Sequence, residues 1–258
     1  MRILRYILVC IYASVMLLFN IQPKATVTVC ILDSGSTIGT TIQYSENIDC
    51  TDYGGHGTFC AGQIRDFCPK AEILSYCITP VVDGQTVYDA QYINLALKDV
   101  LGRAESGYIV LLNVYGDGFV EETHDLIMAL IDKGVPVIVP SGNEGKDPQG
   151  IGFPSCMDEV ICVGATDAQG EYQFFSNFHG RVDFCDVGRD VRGIQLDGTI
   201  GTWHGTCIAA ARLTGKCAAI LYDNPNMTEQ DLFDYLKTIA VDLNDAGHDP
   251  YTGWGMIP

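Results

Sequence analysis

The sequence has few basic residues for its length. Only 15 of its 258 residues are lysine or arginine, against 32 aspartates and glutamates, and the formal net charge is −17. Nucleic-acid-binding domains carry the opposite sign because they must neutralise phosphates, so we expect no nucleic-acid partner. The acidity is compatible with a preference for basic peptides, although it also serves solubility.

Internal repeats and long apolar runs are missing as well. No segment recurs with a period of roughly 20–50 residues, which excludes a repeat fold. The longest apolar run, residues 6–19, has 14 residues. A helix that spans a bilayer comfortably needs roughly 20.

This run dominates a separate amino-terminal unit. Arg2 and Arg5 precede it, and no acidic residue occurs before Asp33. Basic residues followed by a short apolar region are typical of a signal peptide. We predict that residues 1–25 are an apolar leader, a signal peptide or a membrane anchor that associates through residues 3–21, and that the protein is extracytoplasmic or membrane-anchored. The alternative is an ordinary buried helix packed on the domain.

The cysteines favour a reducing compartment, in contrast to the leader. There are eleven, and many lie within apolar strand or helix patterns, such as Val29-Cys30-Ile31 and Ile161-Cys162-Val163. Cysteine behaves there as a small apolar residue. Without Cys10 of the leader and Cys207, nine remain, an odd number that cannot pair fully. We therefore predict mostly free thiols, which makes a reducing cytoplasm the alternative location.

Apolar segments rich in β-formers alternate with amphipathic segments after the leader. Strands are predicted at residues 26–32, 72–78, 108–113, 135–140 and 159–163, and helices at 88–104, 122–133 and 228–240. Continuous apolar strands separated by helices indicate a parallel sheet that is covered on both faces. We predict one α/β domain, residues 26–258, with a doubly wound, mainly parallel sheet and helices on both faces.

Four residues of this domain stand where acyl-transfer chemistry needs them. Cys207 follows a glycine-rich turn at the start of a helical segment, where the helix dipole favours a thiolate. Asp33 ends an apolar strand, His56 lies between two glycines, and Asn143 follows another apolar strand. Taken singly, they are equally explained as a buried cysteine, a turn aspartate, a surface histidine and a turn asparagine. Together they supply a nucleophile, a base, an orienting carboxylate and an amide donor.

The segments around these residues resemble the sequence blocks of the subtilisin family. In the family's order, they resemble its aspartate strand, its histidine block, its oxyanion-hole block and its nucleophile segment. The matching segments are residues 29–35 (VCILDSG), 55–62 (GHGTFCAG), 141–145 (SGNEG) and 205–209 (GTCIA). The resemblance extends over residues 26–257 and implies the subtilisin-like fold. It departs from the family at the nucleophile, where Cys207 replaces the serine.

The resemblance implies a role for each of these residues. Asp33 would orient the imidazole of His56, which would act as general base and later as general acid. Cys207 would attack the substrate, and Asn143 would hold the oxyanion. The substrate-binding residues implied are Asn113, Tyr115, Gly116, Asp117, Ser141 and Gly142.

Two residues of the implied substrate wall make opposite predictions about specificity. Asp117 would favour lysine or arginine before the scissile bond, unless it only caps its own turn. Tyr115 would instead fill the pocket and admit only small residues. Family members often bind calcium, but no oxygen-rich loop here is specific enough to name ligands. We therefore predict no cofactor and no metal-binding residue.

Three functions remain compatible with the sequence. The first is a peptidase or acyl-transfer enzyme that acts on peptide bonds of peptide or protein substrates through a covalent acyl-enzyme. The second is a peptide ligase or cyclase, because a thiol in a site shaped for serine transfers activated acyl groups more readily than it hydrolyses amides. The third is a catalytically weak peptide-binding module.

Overall fold

The computed structural model describes residues 26–45, 48–116, 118–145 and 152–258. Among them, no helix combines the length and the apolar character that crossing a membrane requires. The predicted leader, residues 1–25, lies outside the described residues, and so does its predicted membrane association through residues 3–21. Asp117 of the predicted substrate wall is also outside them.

Strands and helices alternate along the described chain. The strands are β1 Thr28–Asp33, β2 Thr40–Thr41, β3 Glu72–Cys77, β4 Val81–Val82, β5 Gln85–Thr86, β6 Tyr108–Leu112, β7 Val137–Pro140, β8 Ile161–Thr166, β9 Phe184–Val187, β10 Val191–Ile194 and β11 Ile200–Trp203. The helices are α1 His56–Phe67, α2 Ala90–Arg103, α3 Glu121–Asp132, α4 Thr206–Asp223 and α5 Glu229–Ile239.

Seven of the strands form one parallel sheet. Their order is β2-β3-β1-β6-β7-β8-β9. From β1 the chain goes first to the edge strand β2, returns to β3 between β2 and β1, and then crosses to β6 on the other side of β1. The strand order therefore reverses between β1 and β6. In sheets of this kind, ligands bind beyond the carboxyl ends of the strands at such a reversal.

Helices cover both faces of the sheet, as predicted. Alternate residues of β1 point to opposite sides, because side chains along a strand have a period of two. Val29 and Ile31 join the core formed with α1 and α4, whereas Cys30 and Leu32 join the core formed with α2 and α3. Both faces of β1 are fully buried, which explains why the segment reads as one continuous apolar run.

The predicted elements are confirmed to within a few residues at each end. Helix α5 begins with a capping box, in which the Thr228 and Asp231 side chains each accept the other residue's backbone N–H. The glycine-rich stretch before Cys207 is more regular than a turn. It contains the antiparallel hairpin β10–β11. The apolar pattern missed it because Gly193 and Gly201 occupy the more buried positions while Ile194 and Ile200 are exposed.

Candidate active site

The predicted aspartate lies at the reversal in strand order. Asp33 is the last residue of β1 and is 4% exposed. Asn113 follows the end of the neighbouring strand β6, and its Nδ2 donates to Asp33 Oδ2 at 2.8 Å. The backbone N–H of Ser34 donates to the other carboxylate oxygen at 2.6 Å. The edge of the sheet thus presents a carboxylate that is fixed from two sides.

His56 is the first residue of α1 and reaches this carboxylate because glycines surround it. Gly55 has a φ of 79°, which lets the chain turn into the helix. A Cβ built on Gly57 would lie 1.9 Å from the carbonyl oxygen of Gly35, so only glycine allows α1 to approach β1 this closely. The Asp52 carboxylate accepts the N–H groups of Gly55 and Thr58 and stabilises the amino end of the helix.

The imidazole of His56 and the carboxylate of Asp33 form a close pair. His56 Nδ1 lies 2.7 Å from Asp33 Oδ1 and 2.9 Å from Asp33 Oδ2. Burial by itself lowers the pKa of His56, but the Asp33 charge and a hydrogen bond with the Cys207 side chain raise it well above its usual value. Burial by itself raises the pKa of Asp33, but the His56 charge and the hydrogen bonds that it accepts bring its pKa below the usual range.

Cys207 is the second residue of α4, as predicted from the glycine-rich turn. Its side chain is half-buried and lies close enough to His56 to contribute to the raised pKa of that imidazole. Gly205, with a φ of 148°, precedes the helix. The first N–H groups of a helix have no intrahelical partner, so the backbone N–H of Cys207 is oriented to receive a negative charge.

Asn143 is held against the start of the same helix. Its Oδ1 accepts the backbone N–H of Thr206 at 2.8 Å and the Thr206 hydroxyl at 3.1 Å. Because Oδ1 is occupied in this way, the Nδ2 group is directed elsewhere, and no described residue accepts from it. An exposed amide N–H₂ beside Cys207 is the donor that an oxyanion needs.

The sequence did not reveal that Cys60 belongs to the site. Its Sγ lies 3.9 Å from His56 Nδ1 and accepts a hydrogen bond from Asn113 Nδ2 at 3.3 Å. Burial raises the pKa of this thiol to about 12, so it is neutral at physiological pH. Four-residue spacing on a helix, from His56 to Cys60, was the available signal.

A tryptophan covers the other side of the imidazole. The Trp203 ring on β11 lies 5.6 Å from the His56 ring and stacks on Phe59 at 5.4 Å, both measured between centroids. Trp203 precedes Cys207 by four residues. The β10–β11 hairpin therefore connects the contact with His56 to the start of helix α4. The resemblance to the family did not include this residue.

The predicted substrate-binding residues have different positions. The Asn113 amide contacts Asp33 and Cys60, as described, and the Ser141 side chain is buried with its hydroxyl 3.4 Å from that of Ser176. Gly142 adopts a φ of 103° and its N–H donates to Thr206 Oγ1. Gly116 forms a two-bond bridge with Phe153.

The Tyr115 ring packs on Gly142, one of the predicted substrate-binding residues, and on Gly152. A Cβ built on Gly142 or on Gly152 would lie 3.0 Å from Tyr115 Cε2. The half-buried ring therefore lies between the 113–116 segment and the loop that carries Asn143.

A mostly apolar cavity of about 200 Å³ opens on the other side of the same segment. It continues from Val114, Tyr115 and Gly116 toward the start of α2. Its apolar lining includes Ile78, Tyr88, Ile93, Val114, Val120 and Phe153.

Comparison with known proteins agrees with the fold. Residues 24–255 match the model of the subtilase family. The chain is 28% identical over 213 residues to an intracellular serine protease of Paenibacillus polymyxa, covering 76% of this chain and 64% of that protein. It is 25% identical over 214 residues to the major intracellular serine protease of Bacillus subtilis strain 168, covering 75% of this chain and 65% of that protein. The chain thus spans less than two thirds of these relatives.

Solved structures lead to the same fold. A cold-adapted subtilisin-like serine proteinase superposes with a TM-score of 0.76 at 21% identity, covering 88% of this chain and 86% of that one. A lanthipeptide protease superposes with a TM-score of 0.73 at 19% identity, covering 90% and 85%. With the family match spanning nearly all described residues, the chain belongs to the subtilase family.

Proposed function

We propose that this chain is a subtilase peptidase that uses the Cys207 thiol in place of a serine hydroxyl. The observation that carries the proposal is the line of contacts from Asp33 through His56 to Cys207 at the reversal in strand order. It unites a carboxylate, an imidazole and a nucleophile, the three groups that acyl transfer requires. The substrates proposed are peptides or proteins.

The proposed reaction proceeds through a thioester. Asp33 accepts the Nδ1–H of His56 and so leaves Nε2 free to take the Cys207 proton. The thiolate adds to the substrate carbonyl, and the oxyanion accepts hydrogen bonds from Asn143 Nδ2 and the Cys207 backbone N–H. The imidazolium then gives its proton to the leaving amine, and water hydrolyses the thioester with His56 again as base.

Trapping of the acyl-enzyme tests the proposal. The chain is incubated with an activated peptide ester and its intact mass is measured. We expect one acyl group on Cys207, and none on Cys207→Ala. If an added amine diverts the acyl group into a ligated product faster than water releases it, the ligase or cyclase alternative is correct. Binding of the peptide without any adduct would favour the binding module.

Cys207 is expected to be the most reactive of the described cysteines. Eight of the other nine are buried, and only Cys156 is exposed. The His56 imidazole can take the thiol proton as Cys207 attacks the reagent, which activates this thiol as a nucleophile. Brief treatment with iodoacetamide and peptide mapping should label Cys207 at least about tenfold faster than Cys156.

The control for this measurement is His56→Ala, which keeps the helix start but removes the imidazole. This variant should lower the labelling rate of Cys207 toward the labelling rate of Cys156. Equal rates for the two cysteines in the parent chain would contradict the proposed pair.

Tyr115→Ala is expected to broaden the residue accepted before the scissile bond. Because the ring packs on Gly142 and Gly152, the parent chain should prefer small residues, and the variant should accept phenylalanine or leucine on the order of tenfold better. A peptide-ester library measures both preferences. Tyr115→Phe serves as the matched control and should leave the preference unchanged.

The same library tests the proposed role of Asp117. In the alternative to the small-residue preference, its carboxylate attracts lysine or arginine before the scissile bond, an effect that a charge-assisted hydrogen bond would make about ten- to a hundredfold. Asp117→Asn should then lose the preference for lysine and arginine. If the basic preference is absent from the parent chain, Asp117 caps its turn and the tyrosine alone sets specificity.

The location of the protein also stays a proposal. A leader at residues 1–25 favours an extracytoplasmic or membrane-anchored protein. All ten described cysteines are free thiols, which favours a reducing compartment and hence the cytoplasmic alternative. Fractionation of cells, with the mass of the mature chain, distinguishes the two.

A further inference from the structure

Three potential metal ligands converge behind the His56 imidazole. The carboxylate of Asp33, Nδ1 of His56 and Sγ of Cys60 all lie within 4.8 Å of one another. Nδ1 is 2.7 Å from Asp33 Oδ1 and 3.9 Å from Cys60 Sγ. Asp33 ends a strand, and His56 and Cys60 lie one turn apart on α1, so rigid elements hold all three.

Asn113 adds an independent observation at the same point. Its Nδ2 donates to both Asp33 Oδ2 and Cys60 Sγ. Its Oδ1 is buried and accepts no hydrogen bond from any described residue, an arrangement that costs free energy. If the amide turned over, Oδ1 would face a carboxylate and a sulfur. That orientation is unfavourable alone and becomes favourable with a cation between the three groups.

We propose that Asp33, His56 Nδ1 and Cys60 Sγ bind Zn²⁺, with Asn113 Oδ1 as the fourth ligand, and that the bound ion inhibits the enzyme. Sulfur, nitrogen and oxygen together are the donors that tetrahedral Zn²⁺ accepts, whereas Ca²⁺ and Mg²⁺ prefer oxygen alone. Tetrahedral Zn²⁺ sets nitrogen and oxygen ligands about 3.3 Å apart. Nδ1 and Oδ1 must therefore separate by about 0.6 Å from their present 2.7 Å.

Bound Zn²⁺ inhibits because it changes which nitrogen of the His56 imidazole carries the proton. Zn²⁺ displaces the Cys60 thiol proton to solvent and takes the Nδ1 lone pair, so the proton of the neutral imidazole must reside on Nε2. Nε2 is the atom that accepts the Cys207 proton in the proposed mechanism. An imidazole that already carries a proton there cannot activate the thiol. This consequence rests on the proposed function, whereas metal binding itself does not.

Co²⁺ titration tests binding without reference to activity. Co²⁺ replaces Zn²⁺ in such sites, and a thiolate ligand gives it a near-ultraviolet charge-transfer band. We expect this band at one equivalent in the parent chain, in Cys156→Ser and in Cys207→Ser, and its loss in Cys60→Ser. Asn113→Leu should bind Co²⁺ about 10–100-fold more weakly. Retention of the band in Cys60→Ser, or its loss in Cys207→Ser, would overturn the proposed site.

Inhibition is measured separately with Zn²⁺ and a peptide-ester substrate, each variant being normalised to its own activity without metal. The half-inhibitory concentration should rise at least about tenfold in Asn113→Leu and in Cys60→Ser. A chain that binds Co²⁺ through Cys60 but has no peptidase activity would refute the proposed function and leave the metal site standing. An active chain without the band would refute the metal site alone.

Discussion

Cys207→Ser is expected to hydrolyse peptide amides on the order of 100-fold faster than the parent chain. Gly205 and Asn143 pack closely beside the nucleophile, since a Cβ built on Gly205 would lie 3.6 Å from Asn143 Oδ1. The Asn143 amide is further fixed by Thr206. The larger sulfur and its longer bond to carbon displace the substrate carbonyl from these fixed donors, and a misplacement of about 1 Å has an effect of this size.

Rates on an unfolded protein and on an activated ester distinguish amide hydrolysis from acylation. Cys207→Ala should be inactive toward both, and Cys156→Ser should behave as the parent. If the serine variant cleaves amides no faster, the oxyanion site fits sulfur. A cysteine peptidase or a ligase would then be the better description of the chain.

Asp186→Ala is expected to lower the free energy of unfolding by about 3–5 kcal/mol. Asp186 on β9 is fully buried, 2.7 Å from Lys216 Nζ and 3.0 Å from Arg212 Nε. Both cations lie on α4 beyond Cys207, and the Lys216 side chain is only 10% exposed. Removal of the carboxylate leaves the Lys216 ammonium buried without its counter-charge. A buried charge without a partner destabilises the folded state strongly.

Urea denaturation followed by circular dichroism measures the loss, which should lower the midpoint by roughly 1–2 M. The matched control is the double variant Asp186→Leu with Lys216→Met, which replaces the pair with apolar groups of similar size. It should recover most of the stability, because the desolvation cost disappears together with the attraction. If the double variant is as unstable as Asp186→Ala, the side chains of this cluster stabilise the fold through their shape and not through their charges.

The fold was predictable because the longer strands of the central sheet are buried on both faces. Segments such as residues 29–32 and 137–140 have no polar residue to interrupt their apolar run. The short strands β2, β4 and β5 escaped prediction because two residues carry no periodicity. Strand β9 escaped because the buried charge of Asp186 interrupts its pattern.

Only the site residues that lie in the sequence blocks of the family could be predicted. Asp33, His56, Asn143 and Cys207 stand in recognisable blocks, but the partners that orient them are distant in sequence. Asn113 reaches Asp33 across 80 residues because β6 pairs with β1. The order of strands in a sheet is a tertiary property, so no local pattern could place this amide beside the carboxylate.

The close packing of α1 on α4 has a consequence for the protein's survival. A Cβ built on Gly215 would lie 2.9 Å from the carbonyl oxygen of Ile64, and Arg212 and Lys216 stack over the Phe67 ring. The helix that bears the base and the helix that bears the nucleophile therefore behave as one cooperative unit. A molecule that has begun to open this unit has already separated His56 from Cys207. Under the proposed function, such a molecule could be digested by intact neighbours but could not digest them.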